Sequence, residues 1–145
     1  VYKFSTHYDP VVRVPLVLAG PGVGPLGVRD PLVELVDLGP TLLDLVGVAS
    51  PEGMHGRSMR SLLEGGDAPL HEAVHCEQGH RVMLRTTEWK LVYYLGQPWG
   101  ELYHLAEDPD ELHNLYDAGP AQTKRRELEQ ALLDWFGTTR YERRR

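Results

Sequence analysis

The residues of this chain whose types could do chemistry are few and widely spaced. Lys3 and His7 stand just ahead of Tyr8-Asp9. An ammonium offsets negative charge, and an imidazole can touch a substrate or act as an acid beside a leaving group. His7 reads equally well as a loop histidine stacked on its aromatic neighbour. His71, His75, His80, His104 and His113 raise the question of a metal, but their spacing matches neither a helical histidine pair nor a zinc finger. No metal site is expected among them. Asp37 and Asp44 flank a Pro-Thr-Leu-Leu run, where helix capping and solvent exposure explain them more simply than ligation. Trp89 and Trp135 fall where a sheet and a helix would pack, whereas Trp99 falls in a turn, free to contribute to a sugar-binding surface.

These residues are carried by 145 amino acids, enough for one domain or part of a larger one. The net charge of −6 argues against a nucleic-acid partner, which needs clustered Lys and Arg. The one basic run, Arg143 to Arg145 after Arg140, reads as a solvated tail. No apolar stretch is long enough to cross a bilayer, so no membrane partner is expected. A single cysteine, Cys76, excludes an internal disulfide without fixing the compartment. The chain opens on Val rather than Met, and it is expected to be an excerpt of a longer protein.

The pattern divides the chain near residue 70. Val11 to Ala19 is almost continuously apolar and is expected to be a buried strand, with Pro15 marking an edge or bulge. Asp37 is expected to cap a helix through Leu38, Leu42, Leu45 and Val46, ended by Gly47. A short helix is expected after Ser58, ended by Gly65-Gly66. Beyond residue 70 the style changes. Ala73 to Glu77, Arg81 to Arg85, Lys90 to Tyr94 and Glu101 to Leu105 read as strands of an antiparallel meander, with turns at Gly79-His80 and Gln97-Pro98. Ala121 to Phe136 reads as an amphipathic helix, with Leu128, Ala131, Leu132 and Trp135 on one face and Gly137 at its end. The fold class is α/β: residues 1–70 as the end of an α/β sheet layer, then residues 71–145 as a small α+β unit of four antiparallel strands and one helix.

The order of short motifs resembles the sulfatase family of the alkaline phosphatase superfamily. Lys3-Phe4-Ser5-Thr6-His7-Tyr8-Asp9 is similar to that family's lysine loop. It runs into Arg13-Val14-Pro15-Leu16 and Gly20-Pro21-Gly22. Then come Val36-Asp37-Leu38, Pro40-Thr41-Leu42-Leu43-Asp44-Leu45, Gly47, Pro51 and Gly56-Arg57-Ser58. Leu84-Arg85-Thr86, Trp89-Lys90-Leu91, Glu101-Leu102-Tyr103, Asp108-Pro109 with Glu111, and Asn114-Leu115 resemble the family's small C-terminal domain. The resemblance covers nearly the whole chain, to about Trp135.

What the resemblance implies is a full-length protein that hydrolyses sulfate esters with a formylglycine nucleophile and a divalent cation, usually calcium. Lys3 would contact the sulfate group; His7 and Trp99 would be candidate substrate contacts. The formylglycine motif, Cys or Ser-x-Pro or Ala-x-Arg, is absent: Cys76 is followed by Glu77, Gln78, Gly79 and His80, and Ser5, Ser50, Ser58 and Ser61 do not fit. The expected partners are therefore an N-terminal sulfatase segment, or self-association through uncovered apolar faces, and a sulfated small molecule or glycan. This chain by itself is expected to bind no cofactor and to be inactive. Two other readings stay open. One is a fragment of a phosphodiesterase or phosphonate ester hydrolase. The other is a non-catalytic binding or assembly remnant.

Overall fold

The computed structural model describes residues 6–142, with side chains through Thr139; Lys3 and the closing arginine run lie outside the described residues. Two compact units result, and each is taken by itself. One joins residues 6–15 to Ala73–Thr138; the other begins at Leu16 and runs to Glu72, together with residues 139–142.

The first unit is built on a meander. The strands β1 (Val74–Gln78), β2 (Arg81–Arg85), β3 (Trp89–Tyr94) and β4 (Gly100–His104) pair antiparallel in chain order. Gly79 turns β1 into β2 with φ +58°, a conformation open to glycine at little cost. Register follows from alternation: Val82, Leu84, Leu91 and Leu102 point to one face, where Tyr116, Ala121, Leu128 and Leu132 close a buried core over them. Leu91 and Leu102 are wholly buried, and each such side chain contributes roughly 1.5–3 kcal/mol. Gly100 is required by close packing, since a Cβ there would overlap the Tyr116 ring.

The outer edge of β4 is covered rather than left open. Asn114 Oδ1 accepts from the Leu102 amide at 3.0 Å, its Nδ2 donates to Gly100 O at 3.0 Å, and the Leu115 amide donates to Leu102 O at 2.8 Å. An edge satisfied in this way cannot template another strand. The helix over the core, named α4, spans Gln122–Glu142 after a 3-10 turn at Gly119–Ala121. It passes through Gly137, where an end was expected. A glycine costs a helix about 1 kcal/mol but does not break it.

A short helix, α1 (Asp9–Val12), leads into this unit. The expected strand over Val11 to Ala19 does not form: α1 takes its first residues and the rest is irregular. No strand among the described residues lies beside it to pair its backbone, and Val17 is 87% exposed. A strand without a ladder leaves its hydrogen-bonding groups to water.

The second unit holds α2 (Leu38–Leu45), preceded by a 3-10 turn at Leu35–Asp37, and α3 (Arg60–Leu63). Its centre is polar. Asp37, expected to face solvent as a cap, is completely buried. Its carboxylate accepts from the amides of Glu34 and Arg57, both at 2.8 Å, and lies 2.9 Å from His71 Nε2. Thr41 Oγ1 donates to Asp37 O at 2.5 Å and accepts from the Met59 amide at 2.9 Å. Gly56 lets these strands of chain close up, since a Cβ there would collide with the Val36 carbonyl. The motif pieces Val36-Asp37-Leu38 and Gly56-Arg57-Ser58 are thus two sides of one junction. Ser58 Oγ extends it, donating to Asp44 at 2.6 Å. That bond, and Arg60 after it, hold the Asp44 carboxyl below its usual range.

Candidate functional site

The sheet face opposite the α4 core sets polar side chains around the buried Met83 and Val92. Strand alternation puts Arg81 and Arg85 of β2, Lys90 and Tyr94 of β3, and Glu101 and Tyr103 of β4 on it. Onto this face the segment His7-Tyr8-Asp9 is seated by charge. Lys90 is wholly buried; its ammonium donates to His7 O at 3.2 Å and pairs with the carboxylates of Asp9 and Glu111. Glu111 also accepts from the Asp9 amide at 2.9 Å. Arg85 reaches the other Asp9 oxygen at 3.2 Å. Two cations and two carboxylates give a neutral cluster, the condition under which buried charges are tolerated. Glu111 holds φ +56°, unusual outside glycine, to aim its carboxylate here.

His7 lies 1% exposed beside this cluster. Neither ring nitrogen has a hydrogen-bond partner among the described residues. Burial lowers its pKa, and the nearby positive charges of Arg81 and Lys90 add to that against an opposing pull from Glu101. The ring is therefore held neutral. Next to it runs a phenol chain. Tyr103 OH donates to Glu101 at 3.2 Å and lies 3.4 Å from Tyr8 OH, while Tyr94 OH donates to the other Glu101 oxygen. Burial first, then Glu101, pushes the Tyr94 hydroxyl up to about 12; both phenols stay protonated and can only donate or relay hydrogen bonds at neutral pH.

Trp99 stands in the β3–β4 turn, 49% exposed, its ring 4.1 Å from that of Tyr94. The Arg81 guanidinium lies 6.0 Å from the Tyr94 ring centre. The other two tryptophans are packed, Trp135 stacked on His75 at 4.3 Å and Trp89 on His104 at 4.2 Å. His7 and Trp99 thus belong to the same sheet unit; Lys3 lies outside the described residues. The residues that sequence reading passed over as chemistry are Asp9, Arg85, Lys90 and Glu111. A lysine midway along an otherwise apolar strand, Trp89-Lys90-Leu91-Val92, was the available signal.

Among the described residues no group of three or more His, Cys, Asp or Glu converges to hold a metal ion. The buried carboxylates are taken by cations and amides, so a calcium site does not fit these residues. Cys76 sits half-buried in β1, away from any formylglycine motif. No helix of the described residues is long and apolar enough to cross a membrane.

A family profile described as N-sulphoglucosamine sulphohydrolase, C-terminal, matches residues 2–136. Arylsulfatase K of Mus musculus is 35% identical over 139 residues, covering 84% of this chain and 25% of the relative. A solved 2-O GAG sulfatase superposes with a TM-score of 0.69 at 29% identity, over 87% of this chain and 30% of the other. A phosphonate monoester hydrolase of Silicibacter pomeroyi reaches a TM-score of 0.75 at 21% identity, over 83% and 28%, a likeness of fold alone. The chain spans about a quarter of the length of the curated relatives it matches. With its fold, motif order and profile in agreement, this chain belongs to the sulfatase family of the alkaline phosphatase superfamily, as a C-terminal domain of that family.

Proposed function

We propose that this chain is the C-terminal portion of a sulfuric ester hydrolase, and that the complete protein cleaves the sulfate ester of a small molecule or glycan. The seating of the lysine-loop segment on the sheet face opposite the α4 core carries this reading. A cation delivered to an anionic group is what sulfate transfer needs, because charge builds on the departing and non-bridging oxygens. Lys3 is that cation in this reading. The formylglycine and a calcium ion are supplied from outside the chain, where hard oxygen ligands would hold the metal. Residues 1–70 are the end of the large domain and residues 71–145 the small one. Trp99 contacts the substrate's carrier by stacking its exposed ring on a sugar face, whereas His7, only 1% exposed, supports its segment from within rather than meeting the carrier. The 2-O GAG sulfatase among its structural relatives favours a sulfated glycan.

A phosphonate or phosphate ester is the second reading, and the phosphonate hydrolase fold is what favours it. Hydrolysis of chromogenic aryl sulfate and aryl phosphate, with calcium present, separates the two. This chain joined to a sulfatase N-terminal portion is expected to turn over the sulfate, and to keep a reduced but measurable activity in Lys3→Ala. The chain alone is expected to turn over neither. Preference for the phosphate ester would overturn the proposal in favour of the second reading, and turnover by the isolated chain would refute the division of labour.

A further inference from the structure

We propose that Lys90 is a positioning residue: it holds His7-Tyr8-Asp9, the segment that follows Lys3 in sequence, and does not itself meet substrate. The inference rests on the sulfatase reading of Lys3 given above. Lys90 hydrogen-bonds His7 O and Asp9 and is ion-paired with Glu111, with no exposed surface left over. It cannot also serve an anionic ligand. Two of those partners stand four and six residues after Lys3 in sequence. Among the described residues no strand ladder ties the segment to the sheet; β2 pairs with β1 and β3, and β4 with β3.

What fixes it is directional. The Asp9 amide goes to Glu111, its carboxylate bridges Lys90 and Arg85, and its carbonyl receives the Arg13 amide at 2.8 Å. Charge-assisted bonds of this kind set orientation as well as energy, where an apolar contact would set only proximity. The left-handed backbone of Glu111 supports the same view, since strain of that kind persists where the surroundings demand one geometry.

Two measurements test this. In the 145-residue chain, Lys90→Met, which keeps the length of the side chain, and the milder Glu111→Gln are compared with the wild type by amide hydrogen exchange. The amides of Asp9, Val11 and Arg13 are expected to exchange on the order of tenfold faster while the β2–β3 ladder keeps its protection. Unchanged exchange at these amides, or an equal loss across the ladder, would show that Lys90 only fills the fold.

The second measurement uses the completed enzyme acting on aryl sulfate. Lys90→Met is expected to lower kcat in the wild-type background and to cause no further loss in a Lys3→Ala background. Equal losses in both backgrounds would overturn the proposal. If the completed wild-type enzyme has no sulfatase activity, the reading of function has failed, and the exchange experiment still judges whether Lys90 anchors the segment.

Discussion

The two units differ in how they treat their apolar side chains. In the sheet unit, eight buried residues from three strands, a loop, the 3-10 turn and α4 cover one another. In residues 16–72 the buried apolar side chains are Leu32, Met59 and Leu62, while Val17, Val28, Val46 and Leu35 are from 63% to 92% exposed. That stretch also carries an open apolar cavity of about 660 Å³, lined by residues that include Leu18, Leu26 and Val33. One unit owns its core; the other is organised by a buried carboxylate and hydroxyl, Asp37 and Thr41. Contiguous apolar surface of this kind marks a face meant to be covered. A polar junction can fix local geometry where an apolar core is still lacking, and that is the lesson of residues 16–72.

The sharpest way to break this comparison is to cut into the core of the sheet unit. Leu91→Ala should cost about 2–5 kcal/mol, read as an earlier urea midpoint of the sheet unit's unfolding. A cost under about 1 kcal/mol would mean the core is less closed than its burial indicates. Next in size is the polar junction. Asp37→Ala strands the Glu34 and Arg57 amides and should cost about 1–3 kcal/mol. The loss should appear as faster amide exchange around residues 34–59, with β1–β4 unaffected. Simultaneous loss of protection in the sheet would merge the two units into one.

Acid should weaken the sheet unit through His7. Its folded pKa is lowered, so the unfolded chain binds a proton at a pH where the native state does not. The stability is therefore complete above an unfolded value of about 6.5 and declines as pH falls below it. Urea midpoints taken between pH 7.5 and 5 should show this slope, and His7→Phe should flatten it. An identical slope in His7→Phe would remove His7 from the account. The smallest effect belongs to the uncovered face. Val46→Ser should change stability by less than about 0.5 kcal/mol while reducing concentration-dependent association in sedimentation. A large loss of stability would show that Val46 is covered after all.

The sequence made the sheet legible. Alternation between Ala73 and Leu105 placed all four strands within a residue or so of where they lie, because the core face of the strands is buried and a period of two leaves little choice. The Pro40 to Leu45 helix and the apolar stripe of α4 were legible for the same reason at the helical period. Val11 to Ala19 was misread because apolar content cannot report whether a pairing strand is present. The C-terminal end of α4 was misread because a glycine lowers helix stability without forbidding it.

Family membership, too, was already written in the motif order, and several of its pieces make bonds that their residue types require, as Asn114 does at the β4 edge and Asp37 at the Arg57 amide. Only the tertiary structure decided the fates of Lys90, Asp37 and His7. Lys90 meets its nearest described partner in sequence at Glu111 and the others more than 80 residues away. A charged residue is buried or solvated according to such distant partners, and composition and spacing along the chain do not encode them.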